Sequence, residues 1–180
     1  GFGPAWVHID KEHFDHVKYH DVTKLPFEDN TADIIYACHL IAYFDRDEII
    51  PILKEWKRVL KPGGILRLAT PDFKAMAKMY VKSNCCTLDS FLGPLYGKMG
   101  KFTSIEMNSM CGPQEIFIGG ETIYHKTTYD FFSLFELLVK CGFKNVRKYN
   151  RHTTDHARHD DHSNAYLEGQ LISLNVQCYV

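Results

Sequence analysis

The sequence lacks the features that mark several common classes of protein. Its six cysteines include no Cys-x-x-Cys pair, and we expect them to be reduced thiols of a cytoplasmic protein. No apolar run approaches the roughly 20 residues of a membrane-spanning helix. Lys plus Arg number 21 against 22 for Asp plus Glu, so no net basic charge points to nucleic acid. We therefore expect neither a nucleic acid nor a membrane as a partner.

What the chain does contain is an alternation of apolar strands and amphipathic helices. Residues 34–38 form a continuous apolar run suited to a strand covered on both faces. Ile49, Leu53, Trp56 and Leu60 recur at helical spacing. The predicted strands are 6–10, 18–22, 34–38, 65–69, 145–149 and 173–180, and the predicted helices are 49–60, 74–81 and 128–141. This order predicts a doubly wound α/β fold with a mostly parallel sheet and an antiparallel strand at one edge.

The length of 180 residues suits a single domain with one well-buried core. The segment from about 83 to 124 contains the Gly-rich stretch 93–120 and predicts a loop-rich insertion in that domain. A carboxylate, Asp10, follows the first predicted strand. In nucleotide-binding α/β folds, an acidic residue after the second strand takes the ribose hydroxyls.

Three ordered blocks of sequence carry a resemblance to a known family. They are "HDVTKLPFEDNTADIIYACHLIAYF", "EWKRVLKPGGILRLATPD" and "LLVKCGFKNV". With these blocks at this spacing, the chain resembles the class I S-adenosylmethionine-dependent methyltransferases over about 6–82 and 125–150. The resemblance implies a Rossmann-like fold that starts at the family's second strand, and S-adenosylmethionine as cofactor.

The resemblance also implies roles for particular residues. Asp10 would hold both ribose hydroxyls of the cofactor, Asp21 would lie near the adenine amino group, and the Val22 N–H would bind the adenine ring. Cys38 and His39 would line the methionine end and face the substrate. The residues assign no catalytic group: His39 is either a packed, hydrogen-bonded histidine or a base, and His125 and Tyr124 of the insertion are the other candidate bases.

The chain departs from the family pattern at two places. Ala42-Tyr43 stands where the family often has Glu-His, which removes a carboxylate and an imidazole. Only Gly1-Phe2-Gly3-Pro4 stands where the family has a strand, an acidic residue and Gly-x-Gly. We therefore expect a sheet that is incomplete at its N-terminus, with cofactor binding weak or lost. We also expect a homodimer that covers the apolar strand surfaces, with the N-terminal strands or 93–120 in its interface.

The C-terminal third suggests two further interpretations. The segment "RHTTDHARHDDHSNAY" has enough His and Asp for a divalent metal, yet it lacks apolar periodicity and is typical of a polar surface loop. We predict no metal site there. The tail "DDHSNAYLEGQLISLNVQCY" resembles that of methyltransferase-like proteins from bacterial surface-polysaccharide clusters. This looser resemblance implies a saccharide-linked or other small-molecule acceptor.

Two other classes of protein compete with a methyltransferase. A short-chain nicotinamide-dependent enzyme normally carries Tyr-x-x-x-Lys, and none of the ten tyrosines has a lysine four residues later. A non-catalytic scaffold that keeps the fold without the cofactor loop remains open. Binding of S-adenosylhomocysteine separates this scaffold from an enzyme.

Overall fold

The computed structural model describes residues 6–10, 15, 17–83, 86–97, 124–154 and 161–180. Its helices are α1 (Ile49–Val59), α2 (Phe73–Lys82), α3 (Asp89–Tyr96) and α4 (Phe131–Lys140). Its strands are β1 (His8–Ile9), β2 (Val17–Tyr19), β3 (Ala32–Cys38), β4 (Leu60–Pro71), β5 (Lys144–Lys148), β6 (Tyr166–Leu167), β7 (Gln170–Leu171) and β8 (Ser173–Tyr179).

A four-stranded sheet in the order β3-β4-β8-β5 forms the centre of the described structure. β3 and β4 run parallel, with Cys38 opposite Ala69 at their carboxyl ends. β8 is antiparallel to both of its neighbours. The predicted α/β fold with an antiparallel strand is therefore confirmed, but that strand, β8, lies one place in from β5 and not at the edge itself.

β1 and β2 form a separate, short parallel sheet. Both strands are shorter than the sequence predicts. β2 ends at Tyr19 because the chain turns at Asp21. Ile9 still packs against the main core, so the carboxyl end of β1 is held beside the larger sheet. Among the described residues, no ladder of hydrogen bonds joins this pair to β3.

The main core lies between the larger sheet and two amphipathic helices. α1 buries Ile49, Ile52, Leu53, Trp56 and Val59. α4 starts at a capping box in which the N-cap carboxylate and the N3 hydroxyl each accept a backbone N–H, and it buries three leucines. These helices fix one face of the sheet, so the loops at its carboxyl ends are held on a rigid base.

β4 begins earlier than the sequence predicts. The sequence predicts a helix over 49–60 and a strand over 65–69, but α1 ends at Val59 and residues 60–64 belong to β4. The pairing register with β3 shifts between Ala32 and Ile34, and Gly63 has a φ of +77°. A bulge of this kind accommodates a proline and a left-handed glycine within a strand.

A second, smaller core supports α2 and α3. Met76, Phe91 and Ile172 form it, and the β6–β7 hairpin packs beside it. α3 lies within the predicted insertion at 83–124, of which 98–123 falls outside the described residues. Of the helices in the described part, none is long and apolar enough to cross a membrane.

Candidate functional site

The predicted site residues follow the carboxyl ends of parallel strands. Asp10 follows β1, Asp21 and Val22 follow β2, and His39 follows Cys38 at the end of β3. Open α/β sheets bind their ligands outside these ends. The fold therefore places all five residues on the side where a ligand is expected.

Asp10 is anchored through its backbone and exposes its carboxylate. Its N–H donates to the Tyr19 carbonyl at 3.1 Å, and its own carbonyl lies 3.0 Å from His20 Nδ1. Burial raises the pKa of Tyr43, and the negative charge of Asp10 raises it further. The Asp10 carboxylate therefore lies close enough to Tyr43 to act on it, although 33 positions separate them in sequence.

Asp21 stabilises its own turn. Its Oδ1 accepts the Thr23 N–H at 2.7 Å and the Thr23 hydroxyl at 2.6 Å. These hydrogen bonds lower the pKa of Asp21, so the carboxylate is ionised at neutral pH. The turn that β2 enters is thus built by Asp21 itself, as Asx turns commonly are.

Val22 is fixed in place by helix α1. The Trp56 indole Nε1–H donates to the Val22 carbonyl at 2.7 Å. The Thr23 N–H of the same peptide unit donates to Asp21, so both polar groups of that unit are bonded. This arrangement fixes the orientation of the backbone next to the Val22 N–H.

Cys38 is a half-buried neutral thiol. Burial raises its pKa to about 12, and the nearby Asp161 carboxylate contributes to the shift. The thiolate is the reactive form of cysteine. Cys38 therefore lines the site without being a nucleophile at neutral pH.

His39 combines backbone strain with a neutral ring. Its φ is +50°, in the left-handed region that few residues other than glycine and asparagine adopt. Its N–H donates to the Ala69 carbonyl at 2.8 Å, and its Nε2 lies 3.5 Å from Ser173 Oγ. Strain of this type clusters at functional sites, where the surrounding structure maintains it.

The charge state of His39 follows from its neighbours. Burial lowers its pKa to about 3, and the nearby imidazoles of His162 and His125 add to the shift. The centroids of the His39 and His162 rings are 5.2 Å apart. His39 is therefore uncharged at neutral pH, and it is a weak proton acceptor.

The family often has a histidine where this chain has Tyr43, and the tertiary fold brings another histidine, His125, next to Tyr43. The His125 ring lies 4.6 Å from the Tyr43 ring, centroid to centroid, and at an edge-on angle of 75°. Its Nδ1 is 3.2 Å from the Pro94 carbonyl. Burial lowers the pKa of His125, while hydrogen bonds to the Pro94 and Leu95 carbonyls oppose the shift.

Sequence reasoning missed a polar network behind Cys38. The Tyr36 hydroxyl donates to Asp161 Oδ2 at 2.7 Å, and Asp161 Oδ1 accepts both the N–H and the hydroxyl of Ser163. The Arg151 guanidinium lies 3.9 Å away. Tyr36 and Asp161 are 125 positions apart, so no local pattern indicates the contact. Within the His/Asp segment, 155–160 lies outside the described residues.

Part of this chain is similar in sequence to known methyltransferases. Residues 4–68 match the family model of a methyltransferase domain. Demethylmenaquinone methyltransferase of Staphylococcus haemolyticus is 34% identical over 92 residues, which are 47% of this chain and 34% of that protein. A sterol 4-C-methyltransferase of Caenorhabditis elegans is 46% identical over 44 residues, 24% of this chain and 13% of that protein.

Solved structures share the fold at low sequence identity. Human N-acetylserotonin methyltransferase, solved with S-adenosylmethionine, superposes with a TM-score of 0.50 at 11% identity, over 93% of this chain and 35% of that one. A putative O-methyltransferase from Nostoc punctiforme gives 0.50 at 12% identity, over 92% and 36%.

The match spans about a third of the first curated relative. The family model covers β1, β2, β3 and most of β4, and Asp10, Asp21 and His39 follow the first three of these strands. Over residues 4–68, which include Asp10, Asp21 and His39, the chain is therefore similar to a methyltransferase domain.

Proposed function

We propose that the chain binds S-adenosylmethionine at the carboxyl ends of β1, β2 and β3 and transfers its methyl group to a small-molecule acceptor. The observation that carries the proposal is the exposed Asp10 carboxylate at the end of β1, inside the matched residues 4–68. A carboxylate there binds two vicinal hydroxyls through charge-assisted hydrogen bonds.

The described residues fit the nucleoside half of the cofactor. Asp10 supplies the ribose acceptor, and the Val22 N–H, beside the peptide unit that Trp56 holds, supplies a donor to the adenine ring. Asp21 Oδ1 is already bonded to Thr23, so its contact with the adenine amino group uses the other carboxylate oxygen. Cys38 and His39 form the wall towards the methionine end.

The chemistry demands little of the protein. The bound sulfonium supplies an already activated methyl group. The residues around His39 orient the acceptor and exclude water, and a nearby base takes any proton that the acceptor releases. With a pKa of about 3, His39 is better suited to hydrogen-bond the acceptor than to deprotonate it. His125, next to Tyr43, is the stronger candidate for the base.

We also propose the class of the methyl acceptor and the cellular location of the protein. The resemblance of the 160–179 tail to methyltransferase-like proteins of polysaccharide clusters supports a saccharide-linked acceptor. Cys38, Cys86, Cys141 and Cys178 are free thiols in the described part, which supports a cytoplasmic location.

Calorimetry with S-adenosylhomocysteine tests the proposal. We expect weak but saturable binding, in keeping with the short Gly1–Pro4 stretch before β1, and we expect it to weaken about tenfold or more in Asp10→Ala, because two charge-assisted hydrogen bonds are lost. Asp47→Ala removes an exposed carboxylate of the turn before α1 and serves as the matched control, with affinity unchanged. An equal affinity in Asp10→Ala would remove Asp10 from the site. Absence of binding in the unmodified chain would favour the non-catalytic scaffold.

A further inference from the structure

A basic groove lies beside the candidate site, and the proposed function gives it no role. It has a volume of about 800 Å³ and is enclosed by α2, the first turn of α4, the end of β5 and the β6–β7 hairpin. Lys74, Lys78 and Lys82 line it from α2, and Lys148 lines it from β5. The groove is therefore cationic along its length.

The three lysines of α2 are spaced for joint contact with one ligand. A spacing of four residues places them on one helix face, about 6 Å apart along the axis. Like charges at this spacing repel each other, and helix α2 contains no acidic residue. Among the described residues, none of these three lysines forms an ion pair. An anion in the groove would relieve the repulsion.

The acidic residues of the groove do not balance this charge. Of the two that line it, Asp72 caps α2 by accepting the Ala75 N–H at 3.1 Å, and it lies 3.8 Å from Lys148 Nζ. Glu168 occupies the exposed hairpin turn. Arg58, by contrast, has a guanidinium that contacts both Glu55 and Asp29.

The groove also has an apolar side. Phe131, Phe132 and Met79 line it, and Phe132 is 63% exposed. The Lys74 ammonium lies 5.4 Å from the centre of the Phe132 ring, and the Lys148 ammonium lies 5.7 Å from that of Phe131. An exposed aromatic ring within a cationic groove suits a ligand that has both an anionic and an apolar part.

We propose that this groove binds a small amphiphilic anion, an organic diphosphate whose apolar part rests on Phe131, Phe132 and Met79. The diphosphate lies along the α2 lysines, where several ammonium groups donate to its oxygens. A nucleoside diphosphate and a prenyl diphosphate share this chemistry, the first with an aromatic base and the second with a hydrocarbon chain.

A second cavity adjoins the groove and includes a neighbour of His39. A smaller cavity of about 210 Å³ shares Asp72, Ala75 and Lys148 with it and reaches Ser173. Ser173 Oγ lies 3.5 Å from His39 Nε2. A role of this ligand as the methyl acceptor would rest on the proposed function, whereas the binding itself does not.

Calorimetry with three probes tests the groove in the absence of S-adenosylmethionine. The probes are inorganic pyrophosphate, uridine diphosphate and geranyl diphosphate. We expect one of the two esters to bind about tenfold more tightly than pyrophosphate, because its apolar part adds contacts with the phenylalanines. The preferred ester identifies the source of the diphosphate. Added salt of about 0.3 M weakens binding, as expected for exposed charges.

Two triple variants separate a specific groove from general charge. K74Q/K78Q/K82Q should weaken binding of the ester about tenfold or more. K54Q/K140Q/K144Q changes the net charge equally at exposed lysines outside the groove and should change affinity less than about twofold. Circular dichroism confirms that both variants keep their helices.

A third variant tests the apolar side. Phe132→Ala should weaken the ester about fivefold and leave pyrophosphate unchanged. Failure of both esters to bind saturably at about 1 mM would overturn the proposal, as would equal losses in the two triple variants. Binding that survives in Asp10→Ala shows that the groove acts independently of the cofactor site, so either proposal can fail alone.

Discussion

His39 is the residue at which backbone, burial and charge converge. Its left-handed backbone continues the β3–β4 ladder through the bond to Ala69, and its ring lies between His162 and Ser173. The Asp161 network lies behind it and contacts Tyr36, an interior residue of β3. The position therefore presents a fixed, neutral imidazole at the end of a parallel strand.

The lowered pKa of His39 makes stability depend on pH. The unfolded chain protonates this ring at its ordinary pKa of 6.5, whereas the folded protein does so only at about 3. Between these values the unfolded state binds more protons, so the free energy of unfolding falls as the pH is lowered. From about pH 7 to about pH 5 the loss due to His39 reaches up to about 2 kcal/mol.

Urea unfolding of His39→Asn at both pH values measures this contribution. Asparagine tolerates the left-handed backbone, so the variant removes the titration without adding strain. We expect the pH-dependent loss of stability to be smaller in His39→Asn than in the unmodified chain. A loss of the same size in both would contradict a neutral, buried His39.

At the residue scale, the sequence predicts positions in the fold better than contacts. Asp10 and His39 were predicted at strand ends because each follows a run of apolar residues. Such a run indicates a strand from neighbouring positions alone. Tyr43 beside His125 was not predicted, since the two residues are 82 positions apart and meet only through the tertiary fold. The same is true of Asp161 beside Tyr36.

At the scale of elements, helix α1 packs against the core and also holds the backbone of the loop that follows β2. Trp56 holds the Val22 carbonyl, and Glu55 Oε1 accepts the Leu25 N–H at 3.0 Å. The Arg58 guanidinium donates to the Phe27 carbonyl at 2.9 Å. One turn of the helix therefore fixes most of the loop between β2 and β3, including the backbone assigned to the adenine ring.

Trp56→Phe tests this coupling between helix and loop. It keeps an aromatic ring in the core but removes the hydrogen bond to Val22, which should cost about 1 kcal/mol of stability. We also expect the affinity for S-adenosylhomocysteine to fall about three- to fivefold, because the Val22 backbone is less well held. Urea unfolding and calorimetry measure the two effects.

The matched control is Tyr80→Phe, which removes an exposed hydroxyl from α2. Stability and affinity should both be unchanged there. Loss of stability in Trp56→Phe without loss of affinity would mean that the loop keeps its conformation independently of the helix.

Element boundaries illustrate where sequence patterns stop being informative. The helical spacing of Ile49, Leu53 and Trp56 predicts α1 well, because one face of it is buried. The length of β4 was not predicted, since Pro62 and Gly63 normally terminate elements. Here pairing with β3 and β8 maintains an extended backbone through a bulge, so tertiary pairing overrides the local preference.

For the whole molecule, β3 is an edge of the four-stranded sheet in the described part of the chain. An edge strand has backbone groups that another strand can pair with. Val7, beside β1, is 44% exposed, which adds apolar surface near the same region. We propose, in line with the expectation from the sequence, that two copies form a symmetric dimer.

Light scattering after size exclusion tests this proposal. We expect a mass close to twice the 20.8 kDa of one chain at micromolar concentrations, with dissociation on dilution. Ile34→Lys on β3 adds a charge to the edge strand and should shift the equilibrium towards monomer. A single species of one-chain mass at all concentrations would contradict a dimer.

The central claim is that the cofactor binds at the carboxyl ends of β1, β2 and β3, and amide chemical shifts measured during a titration with S-adenosylhomocysteine test it most directly. Proton–nitrogen spectra of the labelled chain report each backbone N–H separately. We predict the largest saturable changes at Asp10, Val22 and His39, with little change along α2. Changes confined to α2 and the groove, or no saturable change up to about 1 mM, would contradict the account.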